Sequence, residues 1–98
     1  MNNFISSLEN LTGLNKQPLA QNTRHDIIGE LDAIIQYENH IAMSNDKVVN
    51  QTLNDIVNEE KLHVGQLMGL LFYLDPISKT QFEKGLNEFY NMQQNNNQ

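Results

Sequence analysis

NEEKLHVGQLMGLLFYLDP, residues 58–76, is the stretch on which the fold turns. Val64, Leu67, Leu71 and Leu74 recur at three and four, the spacing of one face of an α-helix. The run stops at Asp75-Pro76, because proline lacks the N–H of the helix ladder and pushes the residue before it out of helical geometry. Upstream, Val49, Leu53, Ile56 and Val57 continue the stripe, so the reading is a helix from about Lys47 to Leu74. From Leu67 to Leu74 the segment is apolar nearly all round, which predicts burial on several sides. Inside it, Glu60 and His63 stand three residues apart. That step puts both side chains on one face, about 4.5 Å apart along the axis, where a carboxylate and an imidazole can grip one ion.

A second periodic segment precedes it. Ile27, Leu31, Ile34, Ile35, Ile41 and Ala42 predict a helix from about Thr23 to Ser44. Asn22 or Thr23 can cap it, and Asp26 falls in the first turn, where the helix dipole favours an acid. Ser44-Asn45-Asp46 breaks the pattern with turn-forming residues, and Asn45 or Asp46 can cap the helix that begins at Lys47. So short a connection makes the pair an antiparallel hairpin. A shorter helix is expected from about Ser78, its cap, to Asn91, with Phe82, Leu86, Phe89 and Tyr90 along its apolar edge. The division is then an N-terminal arm over 1–22, the hairpin with its C-terminal helix over 23–91, and a polar, disordered tail over 92–98. The arm holds Gly13 and Pro18 and at best a short helix through Phe4, Ile5, Leu8 and Leu11.

The hairpin sets a register. Glu30 lies about 15 residues before the turn and Glu60 about 15 after it. At about 1.5 Å per residue both stand roughly 22 Å from the turn, so Glu30 is level with the Glu60/His63 pair. Tyr37 is two turns from Glu30 on the same stripe, a hydrogen-bond or one-electron donor beside the site. Two carboxylates in an apolar seam are costly without a partner charge. A helix-bundle site for two metals takes a Glu from each of two helices and a Glu-x-x-His from each of two others. This chain supplies one of each, so the other half must come from a second copy. Such oxygen and nitrogen donors suit iron, manganese or zinc. Surface roles are the reading for His25, His40 and Asp32, packing for Met43, Met68 and Met92, and pairing with Lys61 or Lys47 for Glu59.

Composition narrows the field. The chain has 98 residues, one small domain, with a net charge of −6 from twelve acids against six Lys and Arg. No basic patch is present to neutralise phosphates, which argues against nucleic acid. Without cysteine there is no disulfide, thiolate metal site or iron–sulfur cluster. No run reaches the roughly 18 apolar residues of a membrane span. MNNFISSLEN lacks the basic start and apolar stretch of a secretory signal, so the default compartment is cytoplasmic.

GELDAIIQYENH (29–40) and NEEKLHVGQLMGLL (58–71) resemble the encapsulated ferritins, a branch of the ferritin-like superfamily. Glu30, Tyr37, Glu60 and His63 match that family's ferroxidase pattern, including the thirty-residue gap and the Glu-Glu-Lys context. The resemblance implies an all-α fold: an antiparallel helical hairpin, half of a ferritin-like four-helix bundle, completed by dimerisation. It implies Fe(II) oxidation by dioxygen at a di-iron centre between two subunits, with Glu30, Glu60 and His63 as ligands and Tyr37 beside them. It further implies a homodimer assembling into a higher ring, a decamer, and packaging in an encapsulin shell. The sequence departs from the pattern in two places. Gly29 and Asp32 stand where the family carries carboxylates of an external uptake site, and MQQNNNQ has nothing like the shell-targeting peptide. Asn10-Leu11-Thr12-Gly13-Leu14 is faintly similar to that peptide at the other end. Two other functions remain in view: a peroxide-reducing di-metal protein in the manner of rubrerythrins, and a non-catalytic helical interaction module.

Overall fold

Three helices in one layer make up residues 16–97, the part of the chain that this computed structural model describes. Helix α1 (Lys16–Ala42) and helix α2 (Lys47–Leu74) form the antiparallel hairpin, and α3 (Pro76–Asn96) leaves its far end. Among the described residues there is no strand, and no helix is long and apolar enough to cross a membrane. The turn is built as its residues predict. Asp46 caps α2, its carboxylate accepting from the N–H groups of Val48 (2.9 Å) and Val49 (3.1 Å).

Helix α1 begins seven residues earlier than its sequence signals indicate. Thr23 is not a cap; it is buried mid-helix, and its hydroxyl donates back to the Leu19 carbonyl at 2.8 Å. The cause is tertiary. The last turns of α2 carry Leu71 and Leu74, which need apolar cover, and Ala20 and Ile27 provide it. Pro18 is compatible with this start because it sits in the first turn, where its missing N–H has no partner to lose. Residues 1–15, with most of the expected arm and the 10–14 stretch, lie outside the described residues.

Asp75 closes α2 and opens α3. Its N–H donates to the Leu71 carbonyl at 2.7 Å, and its carboxylate accepts from the Ser78 hydroxyl at 2.8 Å and the Ser78 N–H at 3.3 Å. Ser78, expected as the cap, is thus a donor to the real one, and Pro76 occupies the first helical position. Arg24 of α1 ties the corner to the hairpin, donating to Asp75 at 2.7 Å and to the Ser78 hydroxyl at 3.0 Å. Hydrogen bonds from Ser78, then from Arg24, hold the Asp75 carboxyl below its ordinary range. Helix α3 runs on to Asn96, through most of the stretch read as a disordered tail, because no glycine or proline interrupts residues 91–96.

The core is thin. Ala20, Ile27, Leu71 and Leu74 are buried together, with Leu67 and Met68 packed against them. The chain measures 65 × 42 × 14 Å, with a radius of gyration of 19.3 Å. A compact chain of this length would have a radius near 13 Å, and 14 Å is scarcely more than one helix diameter. Among the described residues, a single layer leaves both faces of the hairpin open. The all-round burial expected for Leu67–Leu74 is therefore not met within one copy: Leu70 is 44% exposed and Tyr73 67%.

Candidate metal centre

The level register predicted for the hairpin brings Glu30 to the Glu60/His63 pair. His63 Nδ1 lies 3.6 Å from Glu30 Oε1 and 3.9 Å from Glu60 Oε2. One donor atom from each of the three residues falls within 4.8 Å of the others. α1 supplies one carboxylate. α2 supplies the other and the imidazole, one turn apart on the face it turns to α1.

The three residues are half-buried. Side chains of Glu30 and Glu60 are 24% and 19% exposed, and that of His63 44%. Glu30 and Glu60, but not His63, border an open groove of about 540 Å³ lined also by His25, Asp26, Gly29, Ala33 and Leu67. The donor set fits a divalent transition ion. Metal–oxygen and metal–nitrogen bonds of about 2.1 Å place neighbouring ligands roughly 3.0–3.4 Å apart, so the donors, at 3.6 Å, 3.9 Å and within 4.8 Å of one another, must draw together by about 0.2–1.8 Å to share an ion. Three donors leave coordination positions to be filled from the open side.

Tyr37 is half-buried on α1, about 10 Å along the axis from Glu30, and is not among the groups that converge or line the groove. Asp32 is exposed and likewise outside the groove, in keeping with its place about 200° round the helix from Glu30. Lys61 pairs with Glu38 at 3.8 Å rather than with Glu59. His25 and Asp26, read as surface and first-turn residues, are exposed yet line the groove. The signal available for Asp26 was its step of four from Glu30; His25, five away, gave none.

Over 73 residues the chain is 44% identical to a ferritin-like–encapsulin shell fusion protein of Pyrococcus furiosus, a match covering 74% of this chain and 21% of that protein. It therefore spans about a fifth of that relative's length. It is also 44% identical to the encapsulated ferritin domain from Pyrococcus furiosus, whose crystal structure superposes with a TM-score of 0.72 over 74% of each chain. No family model matches the chain.

Proposed function

The chain belongs to the encapsulated ferritin family, and from that premise we propose that it is a ferroxidase, oxidising Fe(II) to Fe(III) with dioxygen between two copies of itself. The observation that carries the proposal is the convergence of Glu30, Glu60 and His63 from two helices, with both carboxylates on an open groove. One copy brings two carboxylates and one imidazole. Two copies closed over the groove bring the four carboxylates and two imidazoles of a paired-metal helix-bundle site.

Fe(II) is the substrate, and manganese or zinc are competing ions for the same donors. Glu30 and Glu60 neutralise the incoming charge, and His63 fixes its position along α2. Each Fe(II) gives up one electron. Dioxygen takes two electrons and two protons to leave as hydrogen peroxide, or four of each to leave as water. Closing the second copy over the groove excludes bulk water from the reacting pair. Tyr37, two turns along the seam, is assigned the supply of a hydrogen bond or a single electron rather than ligation.

The larger setting is inferred from the relatives. A fusion to an encapsulin shell in one of them supports packaging of this chain's iron product inside such a shell. A higher ring of dimers, a decamer, is the assembly proposed to be packaged.

Anaerobic Fe(II) titration followed by native mass spectrometry tests the site, and dioxygen consumption tests the reaction. Two irons per pair of chains and rapid oxidation are expected. Glu30→Ala and His63→Ala should each remove both, and unchanged oxidation rates in the two variants would sink the proposal. Co-expression with an encapsulin shell protein tests packaging, and recovery of this chain only outside purified capsids would exclude it.

A further inference from the structure

Glu59 is the acid of the Glu-Glu-Lys run that the three-donor cluster does not use. It is exposed on α2, and the lysines on that helix do not account for it. Lys61 lies about 200° round the helix and pairs with Glu38 at 3.8 Å. Lys47 is about 18 Å away along the axis. The neighbour that Glu59 does have is His63, one turn on. A step of four sets the two about 40° apart on the helix surface, with Cβ atoms about 6 Å apart. Glu60 stands about 60° to the other side of His63. Helical side chains lean back over the turn before them, so the imidazole lies over the gap between the two glutamates. Its Nδ1 is turned to the cluster, 3.6 Å from Glu30 Oε1 and 3.9 Å from Glu60 Oε2. With Nδ1 so turned, Nε2 points out of the cluster, on the Glu59 side.

We propose that Glu59 is a positioning residue for the metal site: its carboxylate accepts a hydrogen bond from Nε2–H of His63 and thereby presents Nδ1 to the ion. The inference rests on the ferroxidase reading, because only a ligating His63 needs such a partner. A neutral imidazole carries one N–H and one lone pair, and the ion takes the lone pair. Whichever nitrogen holds the proton therefore decides which one can ligate. An acceptor at Nε2 keeps the proton there, fixes the ring's rotation and makes Nδ1 the stronger donor. The side chain of His63 is 44% exposed, so packing alone does not hold the ring in one orientation. The two adjacent glutamates thus divide the work through the pitch of the helix. Glu60 shares the ion with His63, and Glu59 orients His63 from its other side without touching the ion.

The test uses Zn(II), which is redox-inert, titrated into the full chain against a competing chelator, with the imidazole nitrogens followed by long-range proton–nitrogen NMR. In the Zn(II)-loaded wild type, His63, assigned by its absence from His63→Ala, is expected to carry its proton on Nε2. Glu59→Ala should keep the Zn(II) stoichiometry and weaken binding about tenfold, the low end for loss of a histidine ligand's outer partner, because Glu59 is exposed. Glu59→Gln keeps an acceptor oxygen without the charge and should stay within about threefold of wild type. Asp55→Ala removes another exposed acid one turn further along α2 and should titrate as wild type. Wild-type affinity in Glu59→Ala, with binding lost in His63→Ala, would overturn this inference and leave the ferroxidase reading standing. Equal affinity in wild type and His63→Ala would sink both. Equal weakening by Glu59→Ala, Glu59→Gln and Asp55→Ala would also overturn the inference, since Glu59 would then act only as one more negative charge. So would a proton on Nδ1 of His63 in the loaded protein.

Discussion

Replacing Glu60 with Gln should have opposite effects on the empty and the loaded protein. The nearest oxygens of Glu30 and Glu60 lie no more than 4.8 Å apart. Two negative charges at that distance repel by about 0.9 kcal/mol at the dielectric of water and about 3.5 kcal/mol at an effective value near 20. Both side chains keep about a fifth to a quarter of their surface in solvent, beside an open groove. The water-like end applies, and the relief on removing one charge is about 1 kcal/mol. Glu60→Gln preserves shape and should raise the melting temperature in chelator by about 4–8 °C for a chain of this size. The same change deletes a ligand. In the wild type, Zn(II), a redox-inert stand-in, should stabilise by about 2.7 kcal/mol at a hundred times its dissociation constant, and the variant should lose most of that rise. The assay is thermal unfolding by circular dichroism at pH 8 and fixed protein concentration, with chelator and with Zn(II). A variant that melts lower than wild type in chelator and still gains the full Zn(II) increment would refute the reasoning, because the carboxylate would then be a structural partner and not a ligand.

Leu71→Ala should lower stability by about 2–3 kcal/mol in urea unfolding, the low end for a buried leucine, because a one-layer seam can partly close over the gap; a loss below about 0.5 kcal/mol would mean that Leu71 is not a core residue. Tyr37→Phe should leave the Fe(II) stoichiometry intact and slow oxidation, whereas loss of bound iron would make Tyr37 a ligand. For Asp75 the folded carboxyl titrates below its ordinary range, so its stabilisation is present above the unfolded value and is lost as pH falls through the folded one. Asp75→Asn should therefore flatten the acid limb of the melting profile below about pH 4, and parallel wild-type and variant profiles would refute the cap's role.

How much of this was legible depended on whether a signal was local. Asp46 after Ser44-Asn45 announced the turn through short-range capping chemistry, and Pro76 announced the end of α2 through backbone sterics. The register of Glu30 against Glu60 followed from equal distances to that turn. Other features were decided by partners remote in sequence. Asn22 and Thr23 carry cap chemistry, but Leu71 and Leu74, some fifty residues on, needed cover that only an earlier start to α1 could give. Asp75 and Ser78 are equally good caps by residue type, and the choice between them turned on Pro76 at the first helical position, a local signal present in the sequence. The exposure of Leu70 and Tyr73 could not be read at all, because apolar residues on a helix declare burial without declaring in which copy.

Gly29 shows how the fold and the site depend on each other. It sits mid-helix in α1 and lines the groove, and a Cβ there would meet nothing within 4 Å. Packing within one copy thus gives no reason for it, while a mid-helix glycine destabilises by about 0.5–1 kcal/mol relative to alanine. The neighbouring Glu30 and Glu60 add about 1 kcal/mol of mutual repulsion. Both penalties fall at one point, beside a core of four buried residues in a single helical layer. Under the proposed function both costs are offset from outside the chain. In that proposal a bound cation would remove the repulsion, and a second copy closed over the groove would use the room that Gly29 leaves. Each makes the other more favourable, since copies that share the ion no longer repel across the seam. In the proposed function, metal binding and closure of the second copy over the groove are one equilibrium.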